Sequence, residues 1–266
     1  ELIEPKSAIT GAVPVLAKSK HYFVELGRYM DQLQAWTRRP GVLRDDVQNY
    51  LERWYTEGLK DWDISRDGPY FGFQIPGEDN KYFYVWMDAP IGYISLSENA
   101  AKELGRGYAD YWRDPGTKII HFIGKDIVYF HTLFWPAMLM AAGDTLPERV
   151  VVHGMLTVNG TKMSKTRGTF ILADAFAKHL DPQTLRYYLA SKLTSRIEDI
   201  DFSPDDFVAR VNSDLVNKIV NLVSRSLPML HRHFRGRAAG FDDAATSLIA
   251  RTSALVAQVE ASYREV

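Results

Sequence analysis

Cysteine is absent from the 266 residues. That excludes disulfides and any metal site built on thiolates within this chain, and it is compatible with a reducing cytosol. An excess of either charge is also missing. Thirty-two basic residues face 33 acidic ones, a net charge of −1, so no global field draws the chain to nucleic acid. Any such contact needs a local patch. No apolar run approaches the roughly 18 residues that span a bilayer, so no membrane segment is expected. The first residues, Glu1-Leu2-Ile3-Glu4-Pro5, do not read as a signal peptide. Neither a Walker A stretch nor G-x-G-x-x-G occurs, which removes a P-loop and a standard dinucleotide site. Repeats and low-complexity tracts are lacking too. What remains is 46% hydrophobic and 24% charged, the composition of a folded protein with a sizeable core.

Periodicity divides the chain. Leu26, Tyr29, Met30, Leu33 and Trp36 recur at helical spacing, and Pro40-Gly41 breaks that helix. Val47, Tyr50, Leu51, Trp54, Tyr55 and Leu59 form a second stripe. Aromatic-rich runs at 70–75 and 81–86 flank Pro76-Gly77-Glu78-Asp79-Asn80 and predict a hairpin with a long turn. Over 82–155 strand and helix alternate: a strand at 119–123, a helix at 127–142, a strand at 149–153. Alternation of this kind predicts an α/β fold with a parallel sheet, whose ligands bind beyond the carboxyl ends of strands. Gly124-Lys125-Asp126 and His153-Gly154 stand at two such ends. Asp181-Pro182 and Ser203-Pro204 are helix starts, an N-cap followed by proline. The second launches a long helix with Phe207, Val211, Leu215, Ile219, Leu222, Val223, Leu227 and Leu230 on one stripe. Another helical pattern runs from about 244 to the end. Together they predict an all-α tail of bundle type.

Several residue groups carry chemistry. Gly160-Thr161-Lys162-Met163-Ser164-Lys165-Thr166-Arg167-Gly168-Thr169 interleaves cations with hydroxyls between glycines. Such a loop suits an anionic group whose charge moves during reaction, and it also reads as a solvated basic turn. Trp86, Ala89, Pro90 and Tyr93 cluster at a strand end, as an aromatic cup or as plain packing. His131 follows Ile127 by one helical turn, on the same face. Asp126 precedes a helix and reads as an N-cap, a ligand partner, or both. Gly124 would let a ligand approach the backbone closely. Arg66 could orient a site or make a structural ion pair. His121, His131 and His153 lack metal-helix spacing, so no metal site is expected. Asn217, Asn221 and Arg225 share a face at i, i+4, i+8, and 209–240 holds six Arg or Lys against one acidic residue. That local excess suits a phosphate backbone or a solvated helix face.

The order of residues narrows these readings. Lys162-Met163-Ser164-Lys165-Thr166 resembles the KMSKS signature of class I aminoacyl-tRNA synthetases, with Thr for the final Ser. Tyr84-Val85-Trp86-Met87-Asp88-Ala89-Pro90-Ile91-Gly92-Tyr93 and Phe122-Ile123-Gly124-Lys125-Asp126-Ile127-Val128-Tyr129-Phe130-His131 resemble the methionyl-tRNA synthetases of that class. So do Trp62-Asp63-Ile64-Ser65-Arg66, Val152-His153-Gly154 and Asn221-Leu222-Val223-Ser224-Arg225, in the family order. The resemblance implies ATP-dependent ligation of methionine to tRNA through an adenylate, in the cytoplasm, with magnesium accompanying ATP.

It also implies roles. Lys162 and Lys165 would be catalytic. Arg66, Trp86, Ala89, Pro90, Tyr93, Asp126, Ile127 and His131 would meet the amino acid. Gly124, Asp126, His153, Gly154, Lys162, Ser164 and Lys165 would meet ATP. Asn221 and Arg225 would meet the anticodon. The implied organisation is the end of a connective insert at 1–81, then the second half of a Rossmann-type catalytic domain at 82–155. A KMSKS loop and stem-contact region at 156–208 and the start of an anticodon-binding bundle at 209–266 follow. The family's H-I-G-H motif and zinc knuckle would lie upstream, so a fragment inactive by itself is expected, with zinc only in the upstream part. The family leaves a homodimer of the parent open.

Overall fold

A computed structural model of the chain describes residues 5–7, 10–164, 169–194, 196–237 and 240–264. The chain forms two compact units, one from residues 1–121 and 127–150, the other from 122–126 and 151–266.

In the first unit both predicted amphipathic stripes form helices. A 3-10 turn at Leu26–Tyr29 leads into the helix Met30–Thr37, which stops before Pro40-Gly41. The helix Asp45–Glu57 opens with two aspartates, which complement its dipole, and stops at Gly58, where φ is +81°. Leu26, Leu33, Trp36, Val47, Leu51 and Tyr55 turn inward and are buried. Tyr50, expected in the stripe, is exposed instead. The Trp36 indole donates to the Pro147 carbonyl at 3.1 Å, which satisfies its buried N–H. Trp112, Trp135 and Leu139 make a second core, packed by Ile94 and Tyr108. Each such side chain contributes about 1.5–3 kcal/mol when fully buried.

The strands of this unit are short. β1 (Phe23–Val24) pairs antiparallel with β2 (Trp62–Asp63). β3 (Ser65–Asp67) pairs antiparallel with β4 (Lys81–Phe83), Arg66 opposite Tyr82. The predicted pairing of 70–75 with 81–86 forms only as a bridge, and a second partner joins it. The ladder partner of 81–83 is 65–67, while 70–75 supplies an isolated bridge, Gln74 to Tyr82. Two backbone bonds, Phe83 N–H to Phe73 O and Ile75 N–H to Lys81 O, line that other edge of β4. A strand has two hydrogen-bonding edges, and sequence alternation cannot say which segment fills which. A helix at Ile91–Glu103 follows.

β5 (Ile120–Gly124) and β6 (Arg149–His153) form a two-stranded sheet. His121, Ile123, Val150 and Val152 alternate inward, as half-buried strands require. The helix expected over 127–142 is segmented: a 3-10 turn at Lys125–Ile127, a π-helical stretch at Phe130–Phe134, then an α-helix at Trp135–Ala142.

The second unit holds a three-stranded sheet. β7 (Leu156–Val158) runs antiparallel to β8 (Thr161–Lys162) and parallel to β9 (Ile200–Phe202). Asp181 caps the helix Pro182–Lys192 through the Gln183 N–H, and Ser203 caps Pro204–Arg210 through Asp206. Both starts are as predicted. Tyr188, Phe202 and Phe207 form its core. The long helix continues as a π-helical stretch Val211–Val220 and an α-helix Asn221–Phe234, and a further helix spans Asp243–Arg264. The predicted helices form, and among the described residues none of these last three stretches has a buried side chain. No described helix is long and apolar enough to cross a membrane.

Candidate functional site

In the first unit β4 ends at Phe83, and Tyr84, in an extended conformation, opens a one-turn helix at Val85–Asp88. Trp86 rides on that helix rather than at a strand end, which corrects the expectation. Ala89 and Pro90 turn the chain into the helix Ile91–Glu103, which carries Tyr93. Pro90 is buried and Ala89 exposed. Trp86 stacks on Phe130, centroids 4.0 Å apart and planes 9° from parallel. His131, 1% exposed, closes the group. Its Nε2 lies 2.8 Å from the Tyr93 hydroxyl and its Nδ1 3.0 Å from the Ile127 carbonyl. Ile127 thus contributes its backbone oxygen, one turn before the histidine.

These partners fix the histidine's protons. A carbonyl only accepts, so Nδ1 carries the hydrogen, Nε2 accepts, and Tyr93 donates. His121, buried nearby, follows the same logic. The Trp135 indole donates to its Nε2 at 3.2 Å. Its ring lies 5.0 Å from Tyr93 and 5.6 Å from His131. Burial lowers the pKa of His131, and burial together with the neighbouring His131 pushes His121 down to about 4. Both rings are neutral at pH 7, so this aromatic cluster is polar at its tips and carries no charge of its own.

Arg66 stands on β3. Its guanidinium lies 3.9 Å from the Tyr84 ring centroid and 3.1 Å from Asp63, and it donates to the Ser65 carbonyl at 2.6 Å. It makes a local ion pair, and it lines a cavity of about 310 Å³ with Trp62, Tyr84, Phe130 and Phe134. Phe130 stacks on Trp86 and also lines this cavity, so Arg66 and the aromatic cup adjoin. Ala89 lines a second cavity of about 500 Å³ with Phe73, Phe83 and Met87.

The second unit gathers different chemistry. Gly124, Asp126 and His153 lie together: a Cβ on Gly124 would stand 2.8 Å from the Asp126 carboxylate and 3.9 Å from the His153 ring. Asp126 is exposed, falls inside the 3-10 turn, and caps no described helix, so its N-cap reading fails. His153 Nδ1 contacts the Gly154 carbonyl at 2.8 Å. Gly154 is packed against backbone; a Cβ there would overlap Glu198 and Asp199. Asp199 accepts from the Met155 N–H at 2.8 Å and pairs with Lys125 at 2.7 Å, which holds its carboxyl below the usual range.

Lys162 is exposed at the end of β8, opposite Thr157. The Asn159-Gly160 turn before it has positive φ at both residues, 48° and 70°, as a two-residue type I′ hairpin demands. Thr169 Oγ1 donates to the Lys162 carbonyl and accepts from the Ser164 N–H, each at 3.0 Å. Lys165 falls outside the described residues. Asn221 and Arg225 stand one turn apart on the helix Asn221–Phe234, half-buried and exposed. Asn217 lies in the preceding π-helical stretch, exposed, so α-helical spacing does not link it to the other two. Among the described residues no group of three His, Asp or Glu is placed to hold a metal.

Sequence reasoning missed Phe130, His121, Thr169, Asp199 and Asp201. The aromatic spacing of Trp86 and Tyr93 could have flagged Phe130. No local pattern marks the others.

The family model described as tRNA synthetases class I (M) matches residues 1–227. Among solved structures, the Mycobacterium tuberculosis methionyl-tRNA synthetase in complex with methionyl-adenylate is 31% identical, with a TM-score of 0.79 over 98% of this chain and 51% of that one. A second structure of that protein bound by methionyl-adenylate gives 30%, 0.78, 98% and 51%. Its apo form gives 29%, 0.76, 98% and 50%. The chain spans about half the length of the structures it matches. The architecture is the class I synthetase fold, with parallel strand pairing and substantial helix. A match over most of the chain, together with this likeness in fold, establishes that the chain belongs to the class I tRNA synthetases of the (M) family.

Proposed function

We propose that the protein containing this chain activates methionine with ATP and transfers it to tRNA. The observation that carries the reading is the 31% identity to a structure holding methionyl-adenylate. The uncharged aromatic pocket and the cationic hairpin supply its chemistry. Methionine's side chain is flexible and apolar, with a thioether that favours aromatic edges. Trp86, Ala89, Pro90, Tyr93, Ile127 and His131 receive it, with His131 neutral. Arg66 orients the adjoining cavity, and Asp126 pairs with the ammonium group or with a ribose hydroxyl of ATP.

In activation the methionine carboxylate attacks the α-phosphorus of ATP. A new P–O bond forms, the bond to pyrophosphate breaks, and negative charge grows on the leaving group. Positioning and charge stabilisation dominate such a step. Lys162 and Lys165 answer the charge, with Ser164 beside them. Gly124, His153 and Gly154 accommodate the adenosine. Magnesium enters on the nucleotide's phosphates as part of the substrate. The acyl group then passes to a terminal ribose hydroxyl of tRNA. Asn221 and Arg225 meet bases of the anticodon, through amide edges and guanidinium stacking.

Residues 82–155 act as the second half of a Rossmann-type domain, after the end of a connective insert at 1–81. Residues 156–208 serve as the KMSKS loop and stem-contact region and 209–266 as the start of the anticodon bundle. The activity belongs to the full-length protein; the 266 residues alone are expected to be inactive. ATP–pyrophosphate exchange by the native protein tests the reading. Exchange that depends on added methionine supports it, and exchange without that dependence, or none, overturns it.

A further inference from the structure

Lys162 stands on a strand of two residues, too short to hold a cation in place by its own ladder. Something outside the hairpin must do so. In the three-stranded sheet, Thr157 of β7 lies opposite Lys162 of β8 on one side and opposite Asp201 of β9 on the other. Residues directly opposite on neighbouring strands project from the same face. Asp201, Thr157 and Lys162 therefore stand in one row: carboxylate, hydroxyl, ammonium.

The row is tied together. Asp201 Oδ1 accepts from the Thr157 hydroxyl at 2.7 Å and from the Gly160 N–H at 2.7 Å. The second bond matters for the turn. A two-residue hairpin pairs the residues flanking it and leaves the N–H groups of its two central residues free. Here both are taken by β9. The Asn159 N–H donates to the Phe202 carbonyl at 3.1 Å, and the Gly160 N–H donates to Asp201. Asn159 is one of two non-glycine residues described at positive φ, a conformation that needs outside support. The Thr157 hydroxyl and the Gly160 N–H together hold the carboxylate of Asp201 below the usual range. Nothing in the sheet ladder itself requires an acid at this position.

We propose that Asp201 is a positioning residue for the activation step: through the Asn159-Gly160 turn and Thr157 it sets where Lys162 meets the departing pyrophosphate. The assignment rests on the function proposed above. It separates placing the cation from binding the amino acid, so the two are distinguishable by kinetics. The acceptor at Oδ1, rather than the charge, does the holding. Asn at this position keeps such an acceptor, and Ala does not.

The test is methionine-dependent ATP–pyrophosphate exchange by the native protein and by Asp201→Ala and Asp201→Asn. Asp201→Ala should lower kcat about tenfold or more with the KM for methionine unchanged, since both hydrogen bonds that fix the turn are lost together. Asp201→Asn should stay within about threefold of the native kcat, because the amide oxygen replaces the carboxylate acceptor. Should Asp201→Ala fail to fold, Thr157→Val removes one of its two partners while keeping a strand-forming shape, and should lower kcat without moving KM. Amide hydrogen exchange at Gly160 should speed up in Asp201→Ala and not in Asp201→Asn. A native kcat in Asp201→Ala, or equal damage from Ala and Asn, or a KM that rises in step with the loss of kcat, would overturn the assignment alone. Absence of methionine-dependent exchange in the unmodified protein would overturn the proposed function, and the role of Asp201 with it.

Discussion

The aromatic cluster of the first unit buries its two histidines and pairs each with a neighbouring donor, whereas the hairpin of the second leaves its charges in water and ties them through the backbone. Tyr93 meets His131, Trp135 meets His121, and the two buried histidines are neutral. No buried side-chain nitrogen or oxygen among the described residues lacks a partner. Around the hairpin, Lys125, Asp199, Asp201 and Lys162 are exposed, and the carboxylates accept from the Met155 and Gly160 amides. Under the proposed function the difference follows the ligand. Selecting an uncharged side chain needs a dry wall without net charge, since an unpaired buried charge would be expensive. Meeting a phosphate needs a cation that stays hydrated until the substrate arrives, held by donors and acceptors that water does not displace.

The largest effect should come from the hairpin. Lys162→Ala should lower kcat for methionine-dependent exchange about 10²–10³-fold, the range for losing one preorganised charge stabiliser, with the KM for methionine unchanged. A parallel rise in that KM would break the division between the two regions. Trp86→Ala should give the opposite pattern. It removes the stack on Phe130, so the KM for methionine should rise by roughly a hundredfold while kcat falls little. Tyr93→Phe takes the donor from His131 Nε2 and should weaken methionine about fivefold to tenfold, the range for one hydrogen bond. Binding calorimetry would check it.

The smallest effect is on stability against pH, and it sharpens the comparison by charge. Both histidines have folded pKa values below the ordinary 6.5, His121 at about 4. The unfolded chain therefore binds protons first, and stability is full above pH 6.5 and declines as pH falls toward 4. Between pH 7 and 5.5 the loss should be about 1 kcal/mol in thermal or urea unfolding. Asp199 and Asp201, held low by their partners, stay ionised across that window and should not contribute. His121→Phe should flatten the slope; an unchanged slope would show that the buried histidines do not set it.

Much of this was readable from local pattern. The helices at 30–37 and 45–57, the caps Asp181 and Ser203, and the strands near 120 and 149 followed from period and start signals. The aromatic cup was legible because Trp86, Tyr93, Ile127 and His131 sit on two short stretches. What stayed hidden depends on which segments meet in three dimensions. β4 takes Ser65–Asp67 as its ladder partner and an isolated bridge from Gln74, although both flanks looked like strand. Trp86 lies on a helix because the chain leaves β4 after Phe83, a boundary that alternation of aromatics does not mark. Asp201 is 41 residues from Gly160, so no spacing rule could have joined them. His121 looked like any polar residue of a half-buried strand. Its neutrality comes from Trp135 and from burial, neither of which a sequence window contains.

The central claim is that an uncharged aromatic pocket selects methionine while a separately tied cationic hairpin serves the phosphate chemistry. It is tested most directly by ATP–pyrophosphate exchange of the native protein against all twenty amino acids, repeated with Trp86→Ala and Lys162→Ala. The account predicts exchange with methionine alone, a raised methionine KM in Trp86→Ala, and a lowered kcat at native KM in Lys162→Ala. Exchange driven by another amino acid, or both variants failing in the same kinetic constant, would contradict it.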